Sequence, residues 1–188
     1  HWGEDIPLLV CAEKDYICPG SYYLSLQPCP VEERIQLSEM VKSRKNLTVV
    51  YVPEFVNETI SLMKRCLPGM NRLLFLGDKR YISVQNQIRL ESVMQTAFPE
   101  IKLEVLVAGD IQTDELIDIL QSSDPNTGIL YYSWTLMVER GKNRMLSSDT
   151  YRMLSSCTTH PIFTLNDMDI VENGMIGGCY YPAANISS

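Results

Sequence analysis

The chain has 188 residues, of which 45% are hydrophobic and 21% charged, with a formal net charge of −7. That length is one domain, or one domain plus part of another, and the composition is ordinarily globular. The acidic balance argues against nucleic acid, whose binding is dominated by phosphate neutralisation, and no apolar run of about 18 residues is present to span a membrane.

In chain order, Ile6-Pro-Leu-Leu-Val10 reads as a short buried strand. The Pro- and Tyr-rich stretch from Cys11 to Pro30 has no clear periodicity, and Val31 to Lys45 has room for a short helix. Asn46-Leu-Thr-Val-Val-Tyr-Val52 is rich in β-branched residues and predicts a strand. Pro53 suits the first turn of a helix, and Val56, Ile60, Met63 and Leu67 recur at helical spacing as one buried stripe. Pro68-Gly69 ends that helix.

Leu73-Leu-Phe-Leu76 is an unbroken apolar run that stops at Gly77-Asp78. Such a run predicts a strand buried on both faces, as in a parallel sheet between helices. A helix over Tyr81 to Phe98 follows, then a strand over Leu103 to Val107. Asp110 or Thr113 is placed to cap a short helix containing Leu116, Ile117 and Leu120. A strand over Ile129 to Tyr132 ends in Ser133-Trp134, and Glu139 to Asp149 reads as exposed. Ser148 or Asp149 is placed to cap a helix through Leu154, and a strand over Ile162 to Leu165 leads into Asn166-Asp167. A last short strand is expected over Gly178 to Tyr181. The alternation predicts an α/β fold: three layers, with a doubly wound, mostly parallel sheet of about five strands.

Phosphate-cradling glycine motifs and a Gly-x-Ser-x-Gly elbow are both missing. Cys11, Cys18 and Cys29 crowd one irregular segment that can hold a disulfide in an oxidising compartment, while Cys66 and Cys179 read as small buried hydrophobes. No Cys-x-x-Cys pair occurs and only two histidines are present, so no metal site, no cofactor and no catalytic residue is predicted. Cys157 and His160 read as a helix-to-strand turn rather than a nucleophile pair. Asn46, Asn57 and Asn185 open glycosylation sequons, which matter only in a eukaryotic secretory route.

Open parallel sheets bind ligands beyond the carboxyl ends of their strands. The residues there are Gly77, Asp78, Ala108, Ser133, Trp134, Asn166 and Asp167. Trp134 either stacks on a planar or sugar-like ligand or covers the edge of its own core. Ser133 and Asn166 are candidates for hydrogen bonds, and Asp78 and Asp167 for polar or cationic ligand groups; the aspartates serve equally well as caps.

The segment Pro161-Ile-Phe-Thr-Leu-Asn-Asp-Met-Asp-Ile-Val-Glu-Asn-Gly-Met-Ile-Gly-Gly178 resembles type I periplasmic-binding-protein-like domains of the ABC-transporter substrate-binding family. That family has a Pro-Val/Ile-aromatic strand, an acidic loop and a Gly-x-x-Gly-Gly turn. Ile6-Pro-Leu-Leu-Val10 resembles the family's early strand. Asn46-Leu-Thr resembles its Asn-x-Thr-Gly turn, with Val49 in place of the glycine. Glu58-Thr-Ile, Leu67-Pro and Arg72-Leu-Leu-Phe-Leu-Gly-Asp78 resemble the helix and strand that follow. The likeness extends to the extracytoplasmic sensor regions of bacterial hybrid two-component histidine kinases.

A complete member has two lobes. The resemblance therefore implies a hinge-adjacent first-lobe segment over 1–45 and most of a second lobe over 46–188, in a chain whose start, His1-Trp2-Gly3-Glu4, reads as trimmed. It implies a non-catalytic, periplasmic sensor domain that takes a small-molecule ligand, meets the membrane only through flanking segments and leaves a homodimer open. The alternatives are the substrate-binding component of an ABC transporter, or an α/β enzyme using Asp78 or Asp167 with His160.

Overall fold

The computed structural model describes residues 6–12, 14–25, 29–52, 55–134, 147–165 and 174–179. The chain separates into two compact units, His1–Glu54 and Phe55–Ser188.

In the first unit, strand β1 (Leu8–Ala12) pairs in parallel with β4 (Leu47–Tyr51). The break between the units falls after Glu54, since β4 takes β1 as its partner. Between them lie β2 (Tyr16–Ile17), helix α1 (Gly20–Ser25), β3 (Ile35–Gln36) antiparallel to β2, and helix α2 (Leu37–Ser43). A disulfide joins Cys18 to Cys29 across α1. The Arg34 guanidinium donates to the Cys29 carbonyl from Nε at 3.2 Å and Nη2 at 3.1 Å, and it stacks 4.4 Å from the Tyr16 ring centroid. The aperiodic stretch is thus tied by this disulfide and by the Arg34 contacts.

Asp15 serves as the cap that α2 lacks locally. Its carboxylate accepts from the Ser38 N–H at 2.9 Å, the Ser38 hydroxyl at 2.6 Å and the Tyr51 hydroxyl. The Ser38 hydroxyl, then the Tyr51 hydroxyl, lower the Asp15 pKa from its ordinary value, and the same bond raises that of Tyr51. A depressed carboxylate adds stability that is present above its unfolded pKa, about 3.9, and lost as pH falls through the folded value. Wild type is therefore expected to be more stable than Asp15→Asn at neutral pH, with the difference shrinking below about pH 4. Urea melts followed by circular dichroism across pH 2–7 measure this; a difference that stays constant with pH would sink it.

The second unit follows the alternation read from the sequence. It comprises α3 (Val56–Cys66), β5 (Arg72–Asp78), α4 (Tyr81–Ala97), β6 (Lys102–Ala108), α5 (Thr113–Ser122), β7 (Thr127–Tyr131), α6 (Ser147–Cys157) and β8 (Ile162–Thr164). The four strands form one parallel sheet in the order β6-β5-β7-β8. Among the described residues the fifth strand expected in this sheet reduces to a single bridge, Phe163 to Gly177. The strand expected over Gly178 to Tyr181 is therefore not seen at Gly178 or Cys179, and its last two residues lie outside the described ones.

Alternate residues of the central strand enter different cores, as the period of a strand requires. Leu74 and Leu76 cluster with Leu106, Ile129, Ile162, Leu116 and Leu120 of α5, and Leu154 of α6. Leu73 and Phe75 cluster with Leu130, Phe163, Ile60 and Met63 of α3, and Leu90 and Met94 of α4. The fold is thus mixed α/β with a parallel sheet.

Several local expectations are corrected. The strand does not stop before Gly77-Asp78; both residues extend β5 and pair with Val107 and Ala108. Gly77 fits because a Cβ there would meet the Phe75 ring and Ser83 Oγ, each at 2.9 Å. Neither Asp110 nor Thr113 caps α5, whose N-cap position is Gln112 with no side-chain bond. Helix α6 starts at Ser147, so Ser148 and Asp149 lie in its first turn. Cys66 is exposed, not buried, because it falls off the Val56–Ile60–Met63 stripe of α3. Among the described residues no helix is long and apolar enough to cross a membrane.

Candidate functional site

The sheet order marks the candidate site. The chain leaves β5 for β6 on one side, then returns to lay β7 on the other. The crossovers diverge at that point, and the carboxyl ends of β5 and β7 border the gap where open α/β sheets take ligands. Asp78 ends β5. Tyr131 ends β7, and the chain continues past β5 because the Tyr132 and Ser133 N–H groups donate to the Leu76 carbonyl at 3.0 and 3.3 Å. Asp78, Ser133 and Trp134 are thereby brought to one edge. Asn166 and Asp167 lie outside the described residues.

Asp78 is 2% exposed. Its carboxylate accepts from the Arg80 N–H at 3.1 Å and from Arg80 Nε at 2.8 Å, and its own N–H donates to Ser83 Oγ at 2.9 Å. This buried charge is compensated inside the protein, by a guanidinium that is itself half exposed. On the other side of β5, Lys79 pairs with Asp110, just beyond β6. The turn at Asp110 passes through Gly109, whose φ of +92° favours glycine.

Trp134 is 2% exposed and packs in the cluster of Leu76, Tyr131 and Met175. Its backbone N–H donates to the Tyr131 hydroxyl at 3.1 Å. Ser133 is 6% exposed. Among the described residues, Ser133 Oγ, Trp134 Nε1 and Thr113 Oγ1 are buried with no hydrogen-bond partner. Leaving such an atom unmet costs about 1–3 kcal/mol. Sequence reasoning weighed Thr113 as a cap and missed it here. The signal was its position, the first residue of the helix that follows a sheet strand.

The Asp78–His160 pairing of the enzyme reading does not assemble. His160 precedes β8, at the amino edge of the sheet, where its Nε2 lies 3.2 Å from the Ser123 carbonyl oxygen. Asp78 closes the seven residues of β5 at the opposite edge, a separation on the order of 20 Å. Cys157 and His160 share a cleft of about 460 Å³ with Ser123, Pro125 and Leu67. The polar neighbour of Cys157 Sγ is Ser156 Oγ, at 3.9 Å. Among the described residues no group of three His, Cys, Asp or Glu is placed to hold a metal ion.

No family model matches the chain, and no match was found among the curated proteins or among the solved structures.

Proposed function

We propose that the chain is part of an extracytoplasmic sensor domain of a two-component signalling protein, non-catalytic, that binds a small molecule. In this reading residues 55–188 are a three-layer, doubly wound lobe of the type I periplasmic-binding-protein-like kind. Helices α3 and α4 cover one face of the sheet and α5 and α6 the other, a division supported by the two core clusters.

The observation that carries the reading is the set of buried, unmatched polar atoms at the carboxyl edge: Ser133 Oγ, Trp134 Nε1 and Thr113 Oγ1. They lie after β6 and β7, the two strands that flank β5, where the sheet order favours a ligand. The Cys18–Cys29 disulfide supports an oxidising, periplasmic setting.

Calorimetric titration of a metabolite panel into the full chain tests the reading. Ser133→Ala removes one hydrogen bond to the ligand, worth about 0.5–1.5 kcal/mol, and should weaken a bound metabolite by up to about tenfold, while the ligand-free chain, relieved of an unmet buried hydroxyl, should melt no earlier than wild type. Unaltered affinity would move the site elsewhere. Turnover of any panel member would favour an enzyme instead. In the gene, a downstream kinase supports the sensor, and a neighbouring permease supports a transport component.

A further inference from the structure

We infer that the outward face of α4 is a self-association surface, on which a second copy of this chain lays its own α4 antiparallel, about a two-fold axis through Gln85. The inference stands apart from the ligand reading and names the contact face of a homodimer.

Helix α4 is inside out over its first half. An amphipathic helix buries its apolar stripe and turns its polar face to water. In α4, Ser83 and Asn86 are buried, while Tyr81, Ile82 and Ile88 are 38%, 52% and 41% exposed. The buried polar side chains are satisfied within the chain. Ser83 Oγ accepts from the Asp78 N–H, and the Asn86 amide donates to the Ile82 carbonyl and accepts from Arg89 Nη1. Tyr81, Ile82 and Ile88 belong to neither core cluster. Exposed apolar side chains grouped on one face mark an interaction surface.

Charge narrows the partner to a second copy. The exposed positions of α4 carry no charged residue; after Ile88 they are Ser92, Gln95, Thr96 and Ala97. Helix α5, by contrast, exposes Asp114, Glu115 and Asp118. With a net charge of −7, two copies repel one another. They can meet only where carboxylates are few, and interface cores are depleted in charge and enriched in aromatic residues and arginine.

The order of side chains is also self-complementary. Tyr81, Ile82, Gln85, Ile88 and Arg89 recur at three- and four-residue spacing and share one face. In a two-fold pair, residue i meets j and j meets i. With Gln85 on the axis, Ile82 meets Ile88 of the second copy, three residues to either side. Tyr81 meets Arg89 of the second copy, four residues to either side, ring against guanidinium. The two Gln85 amides, each donor and acceptor, can bond across the axis. Every contact but the last is made twice. Two crossing helices bury less than the roughly 1,200 Å² of a standard interface, so the association is weak and reversible.

Sedimentation of the full chain from about 5 to 500 μM provides the test, with Cys11 and Cys66 alkylated so that no disulfide dimer is read. Monomer is expected to pass into dimer across that range. Ile82→Lys and Ile88→Glu should each weaken self-association by about tenfold or more, because each sets a charge against an isoleucine. An equimolar mixture of the two should recover it, since the substituted positions then face one another as an ion pair. Both sites are exposed, so melts followed by circular dichroism should match wild type. If either variant melts early, Gln85→Lys, which sets like charges on the axis, reads the same contact. The inference is overturned if the chain stays monomeric throughout, the face then belonging to a different partner. It is overturned equally if the single variants associate as wild type does, which moves the contact elsewhere. A mixture that recovers nothing also overturns it, by ruling out the antiparallel alignment.

Discussion

Trp134→Ala is expected to destabilise the second unit by about 3–5 kcal/mol, the range for truncating a buried large aromatic. That is a large part of the 5–15 kcal/mol typical of a domain. The indole is 2% exposed and fills the space among Leu76, Tyr131 and Met175, so its loss leaves a cavity at the carboxyl edge. Trp134→Phe separates packing from recognition. Phenylalanine keeps an aromatic ring in the core but has no N–H, and the N–H it removes has no partner among the described residues. The phenylalanine variant should therefore lose much less stability than the alanine one, yet bind the ligand roughly tenfold more weakly if the indole N–H contacts it. Urea melts give the first quantity and calorimetry the second. If Trp134→Phe binds as wild type does, Trp134 only covers its core, the alternative left open by the sequence.

What the sequence shows is burial and period. Leu73 to Leu76 is apolar without a break, and this identified a strand covered on both faces; Leu73, Leu74, Phe75 and Leu76 are fully buried. The α3 stripe was legible for the same reason: Val56, Ile60 and Met63 return to one face every three or four residues and are buried there. Pairing partners are not legible. Leu47–Tyr51 has the same β-branched character as any strand, and nothing local says that it joins β1 and not the four-stranded sheet. Strand ends are equally opaque, because glycine and aspartate usually mark turns. At Gly77-Asp78 the packing against Phe75 and Ser83, and the bonds to Arg80, keep the chain extended. The make-up of the carboxyl edge was half legible. Strand ends could be counted, and they gave Asp78, Ser133 and Trp134. The compensation of Asp78 by Arg80 and the unmet hydroxyl of Thr113 depend on side-chain neighbours, which spacing does not encode.

Gly178→Ala is the second large effect expected. The segment Gly174–Cys179 runs beside β8 as a strap. The Thr164 N–H donates to the Gly177 carbonyl at 3.0 Å, and the Ile176 N–H to the Ile162 carbonyl at 2.9 Å. Thr59, fully buried on α3, closes the strap: its Oγ1 accepts from the Cys179 N–H at 3.0 Å and donates to the Cys179 carbonyl at 3.2 Å. A Cβ on Gly178 would stand 1.9 Å from the Thr164 carbonyl oxygen. That oxygen belongs to the backbone of β8 and cannot swing aside, so the strap must lift. Overpacking of this kind costs about 1–3 kcal/mol, at times more.

Thr59→Val should reach the same state by another route. It keeps the shape of the side chain and leaves the Cys179 N–H and carbonyl without their partner, at about 1–3 kcal/mol. Because both changes break one strap, the double variant should lose less than the sum of the two. Lifting the strap also withdraws Met175 from the cluster around Trp134, so Trp134 fluorescence should shift in both variants. Hydrogen exchange reads the event directly, through faster exchange at the Thr164 and Ile176 amides while the Leu74 and Leu76 amides of β5 stay protected. If those two amides keep wild-type protection in Gly178→Ala, the strap does not depend on the missing Cβ, and the coupling from Thr59 through Met175 to Trp134 falls with it.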